Sequence, residues 1–316
     1  MSPRFVPQTD VSNATVNGLA VVSINVVLEV NCPSGSVPIR RITKEQKIRA
    51  KASFRKHVRG SYPVNDGGPE GIATAQKTAT VYHGAAGFIT ISNPTAGPGQ
   101  FSASVISIEA GPPEQFGVIR IGWMVNMDLY MDNRTRLYTI WGQVINGEIH
   151  GCYNTYCSGF VHTNPRIPLD MVLEPVSVIR GQQYYVKLAV TQDKSTGNWL
   201  LWYGENGEQV GYWPSKIFIN LKDGADVLRW GGMVDSSTPQ VPQMGNGDNG
   251  EIHSSKVMRV ALTYESQPSL NGTVDVPIEV WKTKCYKSGD NSYKGEYWGY
   301  SFYFGGEGGD VSRCSN

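Results

Sequence analysis

From about residue 77 the chain is a succession of short runs rich in β-branched and aromatic side chains: Lys77–Tyr82, Gly87–Ile91, Phe101–Ile108, Val118–Val125, Arg136–Trp141, Tyr184–Val190, Trp199–Tyr203, Val257–Thr263 and Tyr297–Phe304. Clusters of Gly, Pro, Asn and Asp separate them, and helical periodicity nearly vanishes. Short alternating runs at this spacing predict an all-β fold, an antiparallel sandwich of two sheets. The turns are well supplied, with 36 Gly and 18 Pro in 316 residues. A chain of this length buries a full core without needing a metal or a disulfide staple.

Charged residues make up 17% and the formal net charge is +1, which excludes a globally disordered or nucleic-acid-coating protein, so no nucleic-acid partner is expected. The longest apolar run, Gly18 to Val30, is broken by Ser23, Asn25 and Glu29 and falls short of the roughly 20 residues of a membrane helix. No membrane partner is expected. The run also lacks the compact basic start of a signal peptide, so none is visible in this chain.

Charge is unevenly spread. Residues 1–60 hold 10 Lys/Arg against 3 Asp/Glu, and residues 61–316 hold 18 against 24. This first part reads as a strand-like run from Leu19 to Val30, a turn at Cys32-Pro33-Ser34-Gly35, and a helix from Thr43 to about His57. Thr43-Lys44-Glu45-Gln46 is a capping-box pattern. Lys44, Lys47, Lys51 and Arg55 fall on one helical face, either as a solvated stripe or as a basic arm docked on the acidic body. The expected organisation is a strand-and-helix segment at 1–60, a turn-rich linker at 61–70 and a β-sandwich at 71–316.

Five cysteines leave one unpaired within the chain. Cys152 and Cys157 have no second Cys/His pair downstream, so a small disulfide loop is favoured over zinc. Cys285 and Cys314 would close a C-terminal loop, leaving Cys32. Asn-x-Ser/Thr acceptors at Asn13, Asn133 and Asn271, with paired cysteines, predict a secreted glycoprotein. The five histidines show no metal spacing, no G-x-S-x-G nucleophile motif occurs, and Met244–Gly250 lacks the Lys-Ser/Thr ending of a phosphate cradle. No metal and no cofactor are expected.

Three segments say more: Ile121-Gly-Trp through Trp141, continuing to Gly151-Cys-Tyr-Asn-Thr-Tyr-Cys-Ser-Gly-Phe-Val161; Asp193–Leu201 with Val210-Gly-Tyr-Trp-Pro214; and Trp230-Gly-Gly-Met-Val234 with Phe302-Tyr-Phe-Gly-Gly306. Together they resemble the neprosin family, plant proteins named after a glutamic endopeptidase that cuts after proline. The resemblance covers roughly residues 70–316, and Cys32–Arg41 is similar to the end of that family's N-terminal activation segment. It implies a β-sandwich with two glutamates on one face. One carboxylate would act as general base on water; the other, kept protonated, would assist the carbonyl oxygen or the leaving amine. The first is expected two residues before Gly122-Trp123 and the second directly after Trp230-Gly231-Gly232.

Those positions hold Arg120 and Met233. A guanidinium cannot accept water's proton and a thioether has none to give. Val105 stands where the resemblance implies a glutamine. Glu109 is the candidate for a relocated carboxylate, or else pairs with Arg120 or is a solvated surface acid. Trp123 and Trp230, flanking the two changed positions, are expected to line the groove as a slot for a proline ring. Three functions follow: a catalytically degenerate family member binding a proline-containing peptide or another extracellular ligand; an active post-proline peptidase using a displaced acid; or a carbohydrate-binding sandwich.

Overall fold

The short runs and tight turns build two stacked sheets in the computed structural model, which describes residues 5–8, 14–16, 19–28, 32–59, 71–77, 81–250, 254–263, 278–280 and 284–314. The first sheet runs, in spatial order, Glu148–Tyr153, Arg136–Ile145, Gly117–Asn126, Gln100–Ala110, Val227–Ser236, Gly71–Lys77 and Ile278–Val280. The second runs Val161–His162, Glu208–Trp213, Trp199–Tyr203, Gln183–Gln192, Gly84–Thr90, Ser255–Thr263, Tyr300–Gly305 and Lys287–Ser288. Neighbours in both orders are antiparallel, and the N-terminal strand Leu19–Ser23 adds a parallel pairing to Gln183–Tyr185.

Side chains alternate across a strand, so each strand of the first sheet has two faces to bury. One face meets the second sheet: Ile106, Ile121, Trp123 and Trp230 pack with Val186, Leu188, Leu201 and Val257. The other would be open on a bare sandwich. Here it carries Ala103, Val105, Val118, Met124, Ile140 and Met233, and these pack against Ala50, Phe54 and Val58 of the helix Lys44–Arg59, α1. Covered on both sides, Gln100–Ala110 and Gly117–Asn126 are buried almost throughout. Both strands therefore read as near-continuous apolar runs.

The start of α1 follows its sequence pattern. The Gln46 amide donates to Thr43 Oγ1 at 3.2 Å, and the Thr43 amide donates to Gln46 Oε1 at 2.9 Å, a reciprocal capping box. The buried stripe is Gln46, Ala50, Phe54, His57 and Val58, at the spacing of one helical face. Lys44, Lys47, Lys51 and Arg55 point to solvent, and among the described residues none forms an ion pair. Apolar burial seats the helix. The helix ends at Arg59, two residues beyond expectation.

Disulfides join Cys152 to Cys157 and Cys285 to Cys314, and Cys32 is free. Of the expected Lys77–Tyr82 run, Lys77 ends one strand and Tyr82 bridges to Ala225, while 78–80 lie outside the described residues. The linker 61–70 and the acceptors Asn13 and Asn271 also lie outside them; Asn133 is exposed. Among the described residues no helix is long and apolar enough to cross a membrane.

Candidate functional site

Register decides which side chains meet. On the face covered by α1, Arg120 lies opposite Ser107, and Ser107 opposite Arg229. Two residues along, Val105 stands between Gly122 and Gly231; two more along, Ala103 stands between Met124 and Met233. Arg120, Val105 and Met233 thus share one face of three adjacent strands. Their long side chains meet over the low glycine-flanked row, with Arg120 Nη1 3.8 Å from Met233 Sδ.

Arg120 is 1% exposed, and its charge is met on several sides. Its Nε donates to Ser107 Oγ at 3.1 Å, its Nη1 donates to the His57 carbonyl at 2.7 Å, and its Nη2 lies 3.6 Å from Glu109 Oε1. Glu109, also buried, accepts from Ser107 Oγ at 2.6 Å and pairs through its other oxygen with Arg229. Glu109 is therefore the counter-ion of two arginines. Both of its oxygens are engaged, and a buried pair of this kind is costly to break.

The His57 carbonyl belongs to the last turn of α1, where backbone oxygens have no partner within the helix and the macrodipole is negative. A guanidinium there satisfies an orphan acceptor and complements the dipole. The His57 ring stacks on Phe101, with centroids 4.7 Å apart and planes 8° from parallel, and its Nδ1 lies 3.1 Å from the Tyr153 hydroxyl. Burial, with the Arg120 charge second, holds its pKa well below the ordinary histidine value, so the ring is neutral. Glycines make the seat. A Cβ on Gly142 would stand 2.9 Å from Val58 Cγ2, and one on Gly151 would stand 2.9 Å from Phe54 Cζ and 2.1 Å from the Trp141 carbonyl. Gly151, at φ +125°, opens the GCYN motif, which ties that motif to the docking of α1.

Beside α1 a cavity of about 250 Å³ remains, with Asp128, Asp235, Asn126, Arg49 and Ser53 in its walls. Asp128 Oδ2 accepts from the Gly99 amide at 2.9 Å. No group of three or more His, Cys, Asp or Glu side chains that could hold a metal occurs among the described residues.

A family model described as Neprosin matches residues 98–307. The chain belongs to the Neprosin family. Among solved structures it is similar to scytalido-glutamic peptidase bound to a transition-state analog inhibitor, at 11% identity and a TM-score of 0.39, over 75% of this chain and 98% of that one. It is also similar to SCP-B, a member of the Eqolisin family of peptidases in complex with the tripeptide Ala-Ile-His, at 10% identity and a TM-score of 0.35, over 76% of this chain and 98% of that one. The Neprosin match spans Val105, Glu109, Arg120 and Met233, and α1 lies N-terminal to it.

Two expected groove residues are elsewhere. Trp123 and Trp230 are fully buried between the sheets, their indole N–H groups donating to the Thr90 and Ala86 carbonyls at 2.8 and 2.9 Å. Each lies three residues from Arg120 or Met233, and an odd offset on a strand points to the opposite face. They form no slot for a proline ring. Sequence reading missed Ser107 and Arg229, which the same period-two count from Glu109 and Met233 places on the family face. It also missed His57, for which a helix end carrying no motif offered no signal, and the pair Asp128 and Asp235.

Proposed function

We propose that this Neprosin-family chain is an exported, non-hydrolytic member that works by binding a proline-containing peptide or another extracellular ligand. One observation carries the reading. Where the resemblance calls for two exchanging acids, a guanidinium and a thioether touch, and the guanidinium is committed to the end of α1. Neither group transfers a proton near neutral pH. General acid–base catalysis contributes about 10²–10⁴-fold in rate, so turnover without it falls towards background. Two disulfides and the exposed acceptor Asn133 support passage through an oxidising export route. The test is a proline-containing fluorogenic peptide incubated with the protein from about pH 2 to pH 7, with no cleavage above background expected.

A second reading, hydrolysis by relocated acids, is favoured by Asp128 and Asp235 both lining one cavity beside α1. Cleavage abolished by Asp235→Asn or by Glu109→Gln would establish it and overturn the first.

A further inference from the structure

On the opposite side of the sandwich, the outer face of the second sheet holds an open cleft of about 270 Å³ lined by Phe88, Tyr185, Lys187, Glu205, Met258, Arg259, Tyr297 and Trp298. Its floor is apolar: Phe88 and Trp298 pack on buried Tyr185 and Met258. The rings stand at steep angles, Phe88 to Tyr185 at 67° and Tyr297 to Trp298 at 89°, so they form walls instead of closing on one another. The Tyr185 hydroxyl lies 3.2 Å from both Glu205 Oε1 and the Tyr297 hydroxyl, making a polar rim.

Two cations complete it. Lys187 Nζ and Arg259 Cζ each lie 5.7 Å from the Phe88 ring centroid, and among the described residues neither forms an ion pair. Arg259 is held in the left-handed region at φ +51°, where the strand Ser255–Thr263 shifts register, and its amide donates to the Trp298 carbonyl at 3.0 Å. That conformation is unfavourable for a side chain as large as arginine. Here it coincides with the point where the strand supplies a cation to the cleft.

The floor strands Gly84–Thr90 and Gln183–Gln192 each have neighbours on both sides, so their backbone groups are spent and a peptide cannot be bound by adding a strand. Recognition must use ring faces, hydroxyls, two positive charges and, at the rim, the Glu205 carboxylate engaged by the Tyr185 hydroxyl. A pyranose ring presents a C–H face and a hydroxyl rim, and a uronic acid adds a carboxylate for the cations. We propose that this cleft binds an acidic oligosaccharide, its sugar faces on the aromatic walls and its carboxylates on Lys187 and Arg259. The site is independent of whether the α1-covered face hydrolyses peptide.

The experiment is isothermal calorimetry of the full chain with a galacturonic acid trimer, a galactose trimer and the peptide Glu-Glu-Glu. Binding of the uronate trimer is expected, at least about tenfold tighter than either control and weakened by salt. Lys187→Gln combined with Arg259→Asn, an asparagine that tolerates left-handed backbone, should weaken it by about tenfold or more at unchanged melting temperature. Lys187→Gln alone serves should the double variant not fold. Absence of uronate binding, equal or tighter binding of the peptide or the neutral trimer, or full affinity in a folded variant would each overturn the assignment.

Discussion

At Arg120 one side chain does two incompatible-looking things: it occupies a position where the family resemblance implies a glutamate, and it anchors the end of a helix. Reversing its charge separates them. In Arg120→Glu a carboxylate would face the His57 carbonyl and Glu109, with only Arg229 left to balance two buried acids. Removing one partner of a buried pair costs roughly 3–5 kcal/mol, and denaturant unfolding at neutral pH should show a loss of that order. Met233→Leu, a near-isosteric change on the same face, should cost under about 1.5 kcal/mol. If both cost the same, Arg120 is packing and not anchorage. Arg120→Glu combined with Met233→Glu restores a proton acceptor and donor, and acid-dependent cleavage of a proline peptide is the expected gain. Because α1 covers this face, the same pair is also combined with Phe54→Asp to unseat the helix, and no turnover in either folded variant would remove this face as the family's site.

The helix is where sequence and structure diverge most usefully. Its start was legible, because a capping box is a local pattern whose four residues satisfy one another. Its seat was not, since Phe54 and Val58 rest on Gly142 and Gly151 nearly a hundred residues away. Glycines at those places read as turns until the helix is laid on them. The Lys/Arg stripe faces solvent, away from the seat. What couples α1 to solution conditions is His57, packed among Phe101, Tyr138 and Tyr153 and facing Arg120, whose counter-ion is Glu109. A base whose folded pKa is depressed stabilises the fold fully above its unfolded pKa, about 6.5, and loses that contribution as pH falls below it. Amide protection over residues 44–59, corrected for intrinsic exchange, should fall as pH is lowered from about 7 to 5. In His57→Phe, which retains the stacked ring and loses the charge, it should not. The same acid dependence in both proteins would show that another group unseats the helix.

Across the molecule, the two-sheet fold was written in strand length and turn chemistry, and the convergence of Arg120, Val105 and Met233 in motifs carried by separate strands. What a single chain hid was the second cover on the first sheet and the buried network behind the GCYN turn. There Asn154, at φ +47°, receives the Thr139 amide on Oδ1 at 2.6 Å and donates through its side chain to the Asp170 carboxyl. Burial raises the Asp170 pKa from 3.8 to about 6, although Arg40 of the N-terminal segment and Arg136 pull it down. The sign is opposite to that of His57. Between about pH 4 and 6 the folded state holds the Asp170 proton longer than the unfolded chain, so this group's contribution to stability falls as pH rises, by on the order of 3 kcal/mol in all. Asp132, Asp193 and Asp310 have lowered pKa values and act below that window. His162, its pKa also lowered by burial, acts with His57 and against Asp170 over the range from about pH 4 to 6. Removing His57 takes away part of the opposing slope: relative to wild type, His57→Phe should gain less stability, or lose more, as pH rises through this range. Adding Asp170→Asn, which leaves an oxygen for Asn154 and suits the left-handed φ of +72°, should turn the profile back towards rising with pH. Urea unfolding at several pH values reads both outcomes, and a pH profile left unchanged by adding Asp170→Asn would mean that Asp170 is ionised throughout, with Arg40 and Arg136 outweighing its burial.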